Sequence, residues 1–197
     1  MQGTDITQGR GGAAAPAPAR GGPVLRLFER LFSSRRERDR FRPAYLALVA
    51  RARDPRWYLD GGVPDTRTGR FAVLSSLLAL LLLRLEGAGT EREAEALISE
   101  LFVEDMEGHL RQDGVGDQVV GKHVRALMGA AAGRHQALRA AGDDRAAIRD
   151  VAVRNLYGGE PPSAAALDAA TDLLAGFRAA LALAPLPGLK DGRLPPL

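Results

Sequence analysis

The sequence predicts an all-α fold: a single compact multi-helix domain with a disordered N-terminal arm and a loose C-terminal tail. Apolar residues recur every three or four positions in one segment after another. Glycine, proline and capping residues separate those segments, and no stretch alternates apolar and polar residues as a half-buried strand does. Hydrophobic residues make up 46% of the chain and aromatics only 5%, so the expected core is built mainly from Leu, Ala and Val. The expected boundaries are 1–23 for the disordered stretch, 24–42 for a basic amphipathic arm, 43–183 for the helical domain and 184–197 for a flexible tail.

Residues 1–23 are Gly, Ala, Pro, Gln and Arg with little to bury, and they lack the apolar run of a secretory signal. From Val24 the pattern turns helical, with Val24, Leu25, Phe28, Leu31 and Phe32 on one side. Arg35, Arg36, Arg38, Arg40 and Arg42 follow. Residues 1–53 hold eleven arginines against four acidic residues, a local charge of +7 within a total of +3. A basic arm on a mildly acidic body suits an anionic surface, either phospholipid or nucleic acid. Phe28, Phe32, Arg35, Arg36, Arg38 and Arg40 are the contact candidates for either. A core helix with a solvated basic tail is the plainer alternative.

Pro43 suits a first helical turn, and Tyr45, Leu48, Val49 and Ala52 form a core face. Asp54-Pro55 interrupts that helix, and Trp57, Tyr58 and Leu59 add bulk. Gly61 to Arg70 reads as a loop in which Asp65 bonds backbone amides and Arg70 braces it. Phe71 to Leu85 is the most apolar stretch. Its uncharged run is shorter than the roughly 18 residues of a membrane span, so it is expected as the central buried helix.

Thr90 and Glu93 form a capping box for the next helix, whose stripe is Ala94, Leu97, Ile98 and Leu101. At about 100° per residue, Asp105 falls inside that stripe, and a carboxylate there needs a partner. A glycine reversal follows, with Gly114 and Gly116 suited to positive φ and Asp117 to a cap. The next helix carries Val120, Val124, Leu127, Ala131 and Leu138 inward. His123 and Arg134 border that stripe, and either is the expected mate of Asp105 across the hairpin. Asp144 or Asp143 caps a shorter helix with Ile148, Val151 and Leu156 inside. Pro161-Pro162-Ser163 starts a last one, with Leu167, Ala170, Leu174, Phe177 and Leu181 inside.

The chemistry of catalysis is missing from these patterns. The absence of cysteine removes disulfides, thiolate metal sites and cysteine nucleophiles together. His109, His123 and His135 lack the spacing of a helical metal pair. No serine sits in a nucleophile elbow, and no phosphate loop is present. A binding protein is expected, without cofactor, metal or small-molecule substrate.

Three blocks in order, YLALVARARDPRWYLDGGVPDTRTGRF, LFVEDMEGHLRQDGVGDQVVGKHVRALMGAAAGR and VRNLYGG, resemble the ubiquinol–cytochrome c chaperone family over roughly residues 44–159. The resemblance implies a non-enzymatic, all-helical assembly factor for respiratory complex III that binds newly made cytochrome b. It would sit at the membrane and have the ribosome as a further partner. A peripheral place on the cytoplasmic face of a bacterial inner membrane follows, or the matrix face of a mitochondrial one. The alternative is a ribosome- or RNA-binding adaptor that uses the arginine cluster.

Carried over, the motif residues are Val63, Pro64, Asp65, Gly69, Arg70 and Phe71, then Asp105, Met106, Leu110, Arg111, Gly114, Val115, Gly116, Asp117, Gly121, Lys122 and Val124. Gly133, Arg134, Arg154 and Asn155 complete the set. Asp105, Met106, Arg111, Gly114, Gly116, Asp117, Lys122, His123 and Arg134 are the partner-binding candidates, and Asp65 with Arg70 is a structural loop pair. Leu77 stands where relatives carry histidine, and Ala131-Ala132 stands where they carry an aromatic pair.

Overall fold

A computed structural model describes residues 35–86, 92–112, 114, 116–160 and 162–197, with no strand among them. In chain order the helices are α1 (Arg35–Ala52), α2 (Arg56–Leu59), α3 (Arg67–Glu86), α4 (Arg92–Gln112), α5 (Asp117–Ala141), α6 (Arg145–Leu156), α7 (Ala164–Leu183) and α8 (Leu186–Lys190). The all-α expectation holds.

Helix α3 is the axis. Every residue from Ala72 to Leu82 is buried, and α1, α4, α5, α6 and α7 all pack against it. Its length and apolarity match those of a membrane span, yet 72% of the apolar window is covered by the rest of the chain. Two serines in this helix are harmless to burial because they bond their own backbone: Ser75 Oγ to Phe71 O at 2.6 Å and Ser76 Oγ to Ala72 O at 2.7 Å. Near its end, Arg84 reaches Leu181 O at 2.9 Å and Ala184 O at 3.2 Å. A cation therefore meets the last carbonyls of α7, where the helix dipole favours one.

The caps follow the sequence where short-range chemistry decides. Asp144 accepts from Ala146 N at 2.8 Å, and Ser163 accepts from Ala166 N at 3.3 Å. The stripes of α4, α6 and α7 are buried as expected. Thr90, the other half of the expected capping box, lies outside the described residues, as do residues 1–34.

Four expectations are corrected. Helix α1 begins ahead of the 42/43 boundary, so Pro43 lies inside a helix. Phe41 is buried, and Arg38 and Arg42 lie against Glu104 of α4, so the last residues of the basic arm are part of the body. Helix α3 starts at Arg67, which shortens the expected loop. Gly116, with φ −63°, is the residue before α5, whereas Asp117 is its first helical residue.

Residues 184–197, expected as loose, are packed. Leu189 and Leu194 are buried, and α8 lies against α1. Arg51 binds Pro195 O at 2.9 Å and Leu194 O at 3.1 Å. Gly192, with φ +83°, turns so close to Pro43 that a Cβ would lie 2.7 Å from the Pro43 carbonyl oxygen. Proline and glycine richness suggested a free tail, but at this position glycine is what permits the approach.

Candidate functional site

The N-terminal half of α3 is not fully covered. Between it, the end of α1, the end of α4 and the middle of α5 lies a groove of about 420 Å³. Val49, Leu74, Met106 and Leu127 form its apolar floor, with Phe71 and Leu110 beside them. Arg53, Arg67, Arg70, Asp105 and His109 supply its polar groups. A second cavity of about 330 Å³ adjoins it and shares Arg53, Tyr58 and Arg70, with the exposed Leu59 on its edge.

Aromatic and cationic groups stiffen the floor from behind. Phe71 stacks on Phe102 with centroids 5.9 Å apart, and the Arg134 guanidinium lies 5.2 Å from the Phe71 ring centre. Arg134 is buried and donates to Asn155 O at 3.2 Å, close to the C-terminus of α6. Burial alone lowers its pKa. The ring face and a helix-end carbonyl stand in for the missing carboxylate.

Asp105 is not paired with His123 or Arg134. The Tyr45 hydroxyl donates to its Oδ2 at 2.6 Å, and His109 Nδ1 is 3.9 Å from Oδ1. Its side chain is 33% exposed, so water shares the burden of solvating it. Burial first, then the Asp105 carboxylate, pushes the Tyr45 pKa up, which keeps the phenol a donor. The hairpin reading failed because α4 turns this edge towards α1. His123 instead lies exposed with Nδ1 3.1 Å from Val119 O.

The partner-binding candidates thus divide. Asp105 and Met106 line the groove, and Arg134 supports its floor. Arg111 is exposed and pairs with Glu107 at 3.6 Å. Gly114, with φ +76°, and Gly116 form the exposed turn, and Lys122 is exposed beyond it. Asp117 sits at the start of α5. None of these turn residues lines the groove.

Of the surface-contact candidates, Phe28 and Phe32 lie outside the described residues. Arg35 and Arg36 begin α1, Arg38 is drawn to Glu100 at 3.7 Å, and Arg40 is exposed. Asp65 and Arg70 form a two-point brace, Nε–Oδ1 2.6 Å and Nη2–Oδ2 3.2 Å, at the groove's edge. The Arg70 guanidinium holds the Asp65 carboxyl below its usual range. The expected backbone amide partners are replaced by this brace, and Thr66 Oγ1 accepts from Gly69 N at 3.2 Å instead.

Sequence reasoning missed Arg53 and Arg67 as site residues, since each sits in a segment that reads as a helix end or a loop. Leu77, at the position where relatives carry histidine, is wholly buried in α3, so that departure changes the core and not the groove.

A sequence profile described as ubiquinol-cytochrome C chaperone matches residues 59–186. The crystal structure of the Cbp3 homolog from Brucella abortus is similar to this chain, with a TM-score of 0.66 and 28% sequence identity, covering 88% of this chain and 96% of that one. No curated protein sequence matches significantly.

Proposed function

Because this chain belongs to the ubiquinol-cytochrome c chaperone family and is a non-enzymatic assembly factor for complex III, we propose that it shelters an apolar segment of newly made cytochrome b. The observation that carries this reading is the groove of about 420 Å³ with an apolar floor between α1, α3, α4 and α5. An amphipathic or membrane-destined helix that lays apolar side chains on such a floor is removed from water until it inserts. Tyr45–Asp105 on one side and Asp65–Arg70 on the other keep the groove open by tying its walls to their neighbours.

Residues 24–34, together with the exposed Arg40, are proposed to hold the body on the anionic membrane surface, on the cytoplasmic side in a bacterium. Each basic residue near such a surface contributes about 1 kcal/mol.

Photocrosslinking in cells tests the groove. A crosslinking residue at Leu110 should capture newly made cytochrome b, whereas one at the exposed Ala140 should not. Equal capture from both positions, or none from Leu110, overturns the assignment. Deleting residues 1–34, which spares α1, should move the protein off the membrane without unfolding the helical body. If that deletion instead abolishes salt-sensitive cosedimentation with ribosomes and leaves membrane recovery unchanged, the arm is a ribosome contact.

A further inference from the structure

We infer that the client segment brings a side-chain N–H or O–H donor into the groove among its apolar residues, and that Asp105 accepts it. The inference rests on the groove being the client site. Asp105 lines that groove beside Val49, Met106, Leu110 and Leu127, and it is the only acid in the lining among the described residues. Its Oδ2 accepts the Tyr45 hydroxyl at 2.6 Å, and Tyr45 is buried outside the lining. The carboxylate keeps its full charge and a second oxygen. Among the described residues no side chain gives Oδ1 a hydrogen bond, since His109 Nδ1 stands 3.9 Å away, beyond hydrogen-bond reach. Solvent reaches the carboxylate instead, through the 33% of the side chain that is exposed.

Fixing α1 to α4 does not explain the choice of an acid. A neutral carbonyl acceptor, as in Asn, serves the Tyr45 phenol without setting a charge in an apolar groove. The Tyr45 bond does hold the carboxylate in one orientation before a client arrives, so little ordering is needed when it does.

A client laid on this floor displaces the solvent from Oδ1 together with the water over Met106 and Leu110. An ionised carboxylate so covered is strongly disfavoured unless a donor replaces the lost solvent. A wholly apolar face therefore gains on the floor and loses at Asp105. A face that sets Ser, Thr, Asn or Gln over Oδ1 gains at both, because a hydrogen bond to a charged acceptor is stronger than one between neutral groups. An ionised Asp or Glu in that place has no donor to offer and repels the carboxylate. The floor gives affinity for apolar segments in general, and Asp105 selects among them through the cost of a dry acceptor. A featureless apolar span is turned away, and a membrane-destined helix with a polar group on its apolar face is received.

The test uses the full chain and labelled amphipathic helical peptides that differ at one residue of the apolar face, Gln, Met or Glu. These three are close in length and in helix propensity. The varied residue is moved along the face one turn at a time, so that one register sets it over Asp105. In that register fluorescence anisotropy should show the Gln peptide binding about tenfold tighter than the Met peptide, with the Glu peptide weakest. Hydrophobicity alone gives the reverse order for Gln and Met. The double variant Tyr45→Phe, Asp105→Leu replaces both partners of the bond with apolar groups, which spares the fold, and Met should then bind tightest. Circular dichroism and a thermal melt check that fold. Asp105→Asn, of the same shape, should end the rejection of Glu, because its amide can donate.

Met binding tightest in every register on the unaltered chain, with binding lost in Met106→Glu, overturns the donor and leaves the groove as client site. A Gln preference that survives in the double variant overturns the role of Asp105. Binding unchanged in Met106→Glu, or no binding of any peptide, overturns both readings.

Discussion

Tyr45 and Asp105, 60 residues apart in sequence, are joined by a 2.6 Å hydrogen bond from the phenol to the carboxylate. The bond fixes α1 against α4 where the groove between them opens.

Tyr45→Phe should lower stability by about 1.5 kcal/mol, the usual net worth of a hydrogen bond to a charged group that remains partly solvated. Chemical denaturation of the single and double variants measures it. Tyr45→Phe and Asp105→Asn should be non-additive. Asp105→Asn and His123→Ala should be additive, and coupling between those two would restore the hairpin pairing.

Two motif glycines should respond in opposite ways. A Cβ at Gly69 would lie 1.9 Å from the Pro64 carbonyl oxygen, so Gly69→Ala should destabilise by about 3 kcal/mol. A Cβ at Gly121 meets nothing within 4 Å. Gly121→Ala should therefore stabilise α5 by about 0.5–1 kcal/mol. If thermal melts show that gain while complex III assembly falls, Gly121 is a contact site and its Cβ obstructs a partner.

His135 should make the fold acid-sensitive. It is 3% exposed, with Nε2 3.2 Å from Glu86 Oε1, and Glu86 also binds Arg139. Burial holds its pKa below the ordinary 6.5; Arg139 adds to that effect and Glu86 opposes it. The folded state then binds fewer protons than the unfolded state, so stability rises with pH across this interval. The contribution is complete above the unfolded value and declines as pH falls through it towards the folded one. Denaturation midpoints should drop as the pH falls below about 6.5, with a flatter profile in His135→Gln. An identical slope in both proteins would assign the acid loss elsewhere.

Arg51→Ala should loosen the C-terminal segment. The two carbonyl contacts to Leu194 and Pro195 together contribute about 1–3 kcal/mol. Limited proteolysis near Arg193 and hydrogen exchange over α8 should both accelerate, while α3 stays protected. Unchanged exchange over α8 would mean that burial of Leu189 and Leu194 suffices.

What could be read along the chain was whatever a few neighbouring residues decide. The stripe of α7, a cap at Asp143 or Asp144, the start of a helix after Pro161-Pro162-Ser163 and the central place of α3 depend on spacing within one or two turns, and local sterics and burial enforce them. The same reading placed Asp105 inside a buried stripe and stated that it needs a partner. The partner itself depends on which helix lies across from α4, and that is settled by the joint packing of every helix around α3. Tyr45, the arginines at the mouth of the groove and the strap held by Arg51 all reach across 60 residues or more, or meet only after such packing. Periodicity carries no record of those meetings, because it reports which face of a helix is buried and not what that face is buried against.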